Sequence, residues 1–227
     1  MNKLLTLQHK YYAGSQTWFS IRKKYRQDYW LRRYGCGVVA MADFCIYKGL
    51  IEQPKDRQEY LQTVRMMSKK WMHVLPGFGI SIYFFAFYAN LYYRIKRIPY
   101  RFKRVWVFGR FRKRKQKMAE KISGQLEKDL PLVFAVGPKL PFVGKTKKPY
   151  LYRLAQGQMV RTATTISGHY MTITGLYRDG DEDYLQLASW GDIWYMSLSE
   201  YMKFAKYTIP FSNAVFQTKI NYSGGRA

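Results

Sequence analysis

The sequence predicts an α+β fold, with a helical N-terminal part and an antiparallel sheet at the C-terminal end, and three observations predict it. Stretches from Cys36 to Tyr47 and from Arg57 to Met72 are rich in helix formers, the second with apolar residues at helical spacing. "HYMTITGLY", beginning at His169, alternates with a period of two. "RDGDED" then supplies an Asp-Gly turn, and "YLQLASW" returns as the partner strand.

Taken in order, a helix begins at Cys36, directly after Gly35. The second follows Pro54 and carries Tyr60, Leu61, Val64 and Met67 on one face. Val74 to Tyr93 holds 20 residues without a charge, the length of a bilayer span. Pro76, Gly77 and Gly79 break its first third, which leaves about 14 helical residues, the length of a core helix with membrane association as the alternative. Met118, Ile122, Leu126 and Leu130 recur every fourth residue on one helix face before Pro131, and "LVFAV" follows as a buried strand. Ser197 with Glu200 forms a capping box for a short helix through Phe204.

A chain of 227 residues with 48% hydrophobic content fits one domain with a sizeable core, and no repeat or low-complexity linker divides it. The net charge of +25 calls for an anionic surface among its partners. Arg94 to Lys117 packs twelve basic side chains among Tyr100, Phe102, Trp106, Phe108 and Phe111, a composition suited to nucleic acid or an anionic membrane surface. The apolar run near the N-terminus is interrupted at Gln8, His9 and Lys10, which predicts an unexported, cytoplasmic protein. Two cysteines and three histidines are too few for a disulfide framework or a four-ligand zinc site, and no Gly-rich phosphate loop is present, so neither metal nor cofactor is expected.

"GCG", at residues 35 to 37, places Cys36 at a helix N-terminus, where the dipole and free N–H groups favour thiolate, with little side-chain bulk on either side. Cys45, nine residues on, falls on the opposite side of the same helix and reads as a core residue. His9 and His73 lack an orienting context. His169 opens a rigid strand, and lies 133 residues after Cys36, within the range of papain-type Cys and His pairs.

The ordered set "GCGVVAMADF", "SGHYMTITGL" and "ASWG" resembles the papain-like cysteine peptidase superfamily, most closely bacterial C39-like peptidase domains. The resemblance spans residues 36 to 191. It implies Cys36 as nucleophile, His169 as general base, and a Trp covering the bond that orients the histidine. Where the family has Asn or Asp, this chain has Ala188; Gln186, two residues back on the same face, is the longer alternative, and simple alternation turns Ser189 away. For the oxyanion hole, Gln16 with the Cys36 backbone N–H is favoured over Gln27. The expectation is a thiol hydrolase acting on a peptide or acyl substrate through a Cys-His dyad. An acyltransferase on the same scaffold, or a catalytically silent papain-like binding module using the basic surface, are the alternatives.

Overall fold

A computed structural model describes residues 4–9, 13–105, 111–141, 147–209 and 212–220, so Trp106 and Phe108 of the basic aromatic segment lie outside the described residues. In chain order the elements are β1 (Leu4–Thr6), α1 (Arg26–Tyr34), α2 (Cys36–Tyr47), α3 (Arg57–Lys70), α4 (Ile82–Ile95), β2 (Tyr100–Val105), α5 (Phe111–Leu126) and β3 (Leu132–Val136). They continue through β4 (Tyr150–Ala155), β5 (Gln158–Thr165), β6 (His169–Asp179), β7 (Glu182–Ser189), β8 (Asp192–Ser197), α6 (Leu198–Phe204) and β9 (Ala214–Ile220).

Among the described residues the strands form one antiparallel sheet in the order β2-β9-β3-β6-β7-β8-β4-β5, with β1 added alongside β6. Alternation decides which helices each strand meets. Val133, Ala135, Tyr170, Ala214 and Phe216 face the core built by α2, α3 and α4, whereas Leu132, Phe134, Val136, Met171, Ile173 and Val215 face the core closed by α5 and α6. The α+β class therefore holds, but helices and strands interleave, and the sheet is covered on both faces rather than following a purely helical half.

Three helices, α3, α4 and α6, begin at a side-chain cap, whereas α1 and α2 begin without one. The Asp56 carboxylate accepts from the N–H groups of Gln58 and Glu59 at 2.7 and 2.9 Å, and α3 buries Tyr60, Leu61, Val64 and Met67 as the spacing predicts. α5 presents Met118, Ile122 and Leu126 to the core, while Leu130 is buried beyond the helix, after a turn in which Asp129 has φ 53°. Ser197 caps α6 through the Glu200 N–H at 3.0 Å. The reciprocal half of the capping box is missing: the Glu200 carboxylate instead accepts from Tyr150 N and Tyr152 Oη, bracing β4.

Ser81 caps α4 just after the Pro-Gly-Phe-Gly turn, and the helix has 14 residues. Phe85, Ala89, Tyr92 and Tyr93 pack inward, but Tyr83, Phe84, Phe87, Leu91 and Ile95 stand exposed, so this is a half-covered helix and not the core helix expected. Asn90 joins it to the sheet, donating to Phe102 O at 3.2 Å and accepting from Phe102 N at 2.7 Å on the edge strand β2. Among the described residues no helix is long and apolar enough to cross a membrane.

Candidate functional site

Cys36 is the first residue of α2, and Gly35 alone separates it from α1. A Cβ on Gly35 would run into the Leu31 carbonyl, so only glycine permits the two helices to meet this closely. Gly37 behaves differently from the expectation: its missing side chain points inward, 3.6 Å from Ile80, Phe85 and Tyr170, and clears no path to the sulfur. The Tyr170 ring fixes this junction by donating from its hydroxyl to Ile80 O at 3.1 Å.

The Cys36 sulfur lies against the backbone N–H groups of Tyr170, Gly37 and Cys36 itself, all of which favour thiolate. Burial outweighs them and pushes the thiol above its ordinary range. The thiolate expected from the helix terminus is thus corrected: desolvation exceeds the dipole and the resting group is a neutral thiol. Cys45 is fully buried in the same helix, and burial raises its thiol as well.

His169 opens β6 and is buried. Its Nε2 hydrogen-bonds with Ser189 Oγ at 2.9 Å, and the Trp190 ring stacks on it with centroids 4.7 Å apart and planes 28° apart. Burial lowers its pKa to about 4, so the imidazole is neutral near pH 7. Trp190 and Gly191 form the two-residue loop between β7 and β8, with φ 56° and 80° and Ser189 paired to Asp192, as in a type I′ hairpin. The left-handed conformation costs a tryptophan about 1–2 kcal/mol, and the Trp190 ring is held by its stack on His169 and by an edge-on contact with Trp194. A Cβ on Gly191 would come within 2.9 Å of Trp18, which fastens the hairpin tip to the 3-10 turn Gln16–Trp18.

A β-bulge explains why Ser189 occupies this place. From the Asp179↔Glu182 end the β6–β7 ladder runs to Gly175↔Gln186, then skips Thr174 and resumes at Ile173↔Leu187 and Thr172↔Ala188. One extra residue on β6 shifts the register by one and exchanges the faces of the partner strand. Ala188 therefore lies across from Thr172, on the Tyr170 side, and is not opposite His169; Ser189 takes the orienting position. Gln186 is corrected likewise: it pairs with Gly175 and Tyr195, its amide bonds the Tyr195 hydroxyl, and its Oε1 is buried without a hydrogen-bond partner among the described residues. The signal available in the sequence was Gly175, since an isolated glycine inside an alternating strand marks a bulge.

Gln16 starts the 3-10 turn, which Arg32 ties to α1 through the carbonyls of Thr17 and Phe19. Its Oε1 is buried and makes no hydrogen bond among the described residues. Gln27 is committed elsewhere, donating to Arg65 O at 2.9 Å. His73 packs edge-on against Tyr88, and His9 donates from its backbone to Tyr47 Oη, so neither joins the site. Cys36 and His169 meet through the backbone: the Tyr170 N–H, part of the peptide bond that leaves His169, faces the sulfur. No hydrogen bond joins the sulfur to the imidazole among the described residues, and no cluster of three His, Cys, Asp or Glu side chains there could hold a metal ion.

Compared with models of known protein families, with curated proteins and with solved structures, the chain finds no match.

Proposed function

We propose that the protein is a thiol acyl-transfer enzyme of papain-like type, in which Cys36 takes the acyl group of an amide or ester and His169 handles the proton. The observation that carries this reading is the oriented histidine: Nε2 on Ser189, the ring under Trp190, beside the peptide bond that faces the Cys36 sulfur. With Nε2–H donating to Ser189, the lone pair falls on Nδ1, which is the nitrogen that acts as base. Both groups rest neutral, so proton transfer accompanies attack and no ion pair precedes it. The sulfur forms a thioester, the imidazolium returns its proton to the leaving group, and water or an amine then releases the acyl chain. The Cys36 N–H at the start of α2 and the Gln16 amide are the donors assigned to the oxyanion.

A generic activated ester such as p-nitrophenyl acetate tests the reading. Peptide mapping should find acetyl on Cys36 and not on Cys45, formed about 10²- to 10⁴-fold more slowly in His169→Ala. Equal rates in wild type and His169→Ala would overturn it. That result favours a silent binding module, the reading supported by the lack of a direct bond between sulfur and imidazole.

A further inference from the structure

Helix α4 is apolar on both of its faces, and only one is covered. The uncovered row runs Phe84, Phe87, Leu91 and Ile95, spaced three and four residues apart along the whole length; Phe87 is 59% and Ile95 55% exposed. The preceding loop, residues 74–81, continues it. Leu75 and Gly79 close a tight bridge whose tip carries Phe78 at 89% exposure. His73 at the loop's base packs on Tyr88, which stacks on Phe84, so loop and helix row form one patch. An apolar surface of this extent marks an interaction site.

Its surroundings are cationic. Lys69 and Lys70 end α3, and Arg94, Lys96 and Arg97 follow the exposed row. Among the described residues none of these five makes an ion pair, and the sequence has no Asp or Glu between Glu59 and Glu120. A recess of about 450 Å³ lies between α3 and α4, lined by Met66, Trp71, Tyr92 and Ile98 together with Lys70 and Lys96.

We infer that the outer face of α4 and the Phe78 loop dock the protein on an anionic lipid bilayer, with the helix lying in the interface plane. At 14 residues α4 is about 21 Å long, too short to cross and suited to lying flat. Phospholipid supplies both halves of the complement, since acyl chains take up the phenylalanine and leucine side chains while anionic headgroups meet the lysines and arginines. A second copy of this chain would bring two cationic rims together without an acidic partner, and a nucleic acid would leave the aliphatic row in water.

Co-sedimentation with vesicles tests this independently of any activity at Cys36. Wild type should bind phosphatidylcholine vesicles containing phosphatidylglycerol, bind pure phosphatidylcholine weakly, and lose affinity as salt rises. Phe78→Ser/Phe87→Ser, and independently Phe84→Ser/Leu91→Ser, should each weaken binding about tenfold or more with the thermal midpoint unchanged. Lys70→Glu/Arg94→Glu should weaken it and flatten the salt dependence. Three results would overturn the inference: no binding to phosphatidylglycerol vesicles at low salt, equal binding by the serine variants, or self-association or duplex DNA binding that those variants abolish in place of vesicle binding.

Discussion

At the start of β6 a titratable ring is turned inward, and along α4 aromatic rings are left outside. His169, 7% exposed, gives up hydration and with it its charge, while Phe87, 59% exposed, keeps its ring in water. Both run against the transfer free energies that build the rest of the core. They differ in how they are held. The histidine depends on a bulge at Thr174, a left-handed Trp190 and one hydroxyl, whereas the outer row of α4 needs nothing beyond its composition. A buried polar group must be built for from several elements; an exposed apolar one has only to be tolerated. Sites that depart from burial in either direction are the places where something besides stability has shaped the residues.

The sharpest way to break the comparison is to compare the two faces of α4. Phe85→Ala, on the inner face against Phe102, Tyr170 and Phe216, should cost about 3–5 kcal/mol in denaturant unfolding. A cost below about 1 kcal/mol would mean that the helix is not seated as described. Acid comes next. The folded state holds His169 neutral down to about pH 4, while the unfolded chain protonates it near 6.5. Its stabilisation is therefore complete above 6.5 and is lost as pH falls toward 4, by up to about 3 kcal/mol. Asp43, raised by burial to about 7 while accepting from Tyr60 and Gly14, titrates in the opposite sense and gains stability on acidification. The difference between wild type and His169→Gln across this range isolates the histidine; parallel pH curves would contradict its burial.

A smaller effect tests the bulge itself. Ser189→Ala should slow acylation of Cys36 about tenfold, and adding Ala188→Asn should not restore it, because residue 188 faces away from the imidazole. Rescue by Ala188→Asn would restore the unbulged register. The smallest effect belongs to the exposed row, where Phe87→Ser should change stability by no more than about 0.5 kcal/mol, read in the same denaturant series as Phe85→Ala.

Much of this is legible in the sequence alone. The helix from Cys36 to Tyr47, the inward face of α3, the β6–β7 hairpin and the location of His169 at a strand start all follow from spacing, caps and alternation. These are local signals, decided by neighbours within a few residues. The orienting residue was not legible in the same way, because one inserted residue in β6 exchanges Ala188 for Ser189 without changing the composition of either strand. The thiol's resting charge is hidden for a related reason: a helix terminus can be read from sequence, but the depth at which Tyr170 and the core bury it cannot. The outer face of α4 looked like core since its residue types are core types, and only the packing of neighbours decides which side is covered.

Asn90 has a consequence of another kind. Among the described residues β2 is the last strand on its side of the sheet, and a strand in that position can recruit a strand from a neighbouring molecule. By taking both the N–H and the carbonyl of Phe102, the Asn90 amide acts as a stopper in the middle of the rim. A chain that carries so much exposed aromatic surface beside this edge thereby denies polymerisation its template, and Asn90→Leu would remove the stopper while leaving the aromatic surface in place.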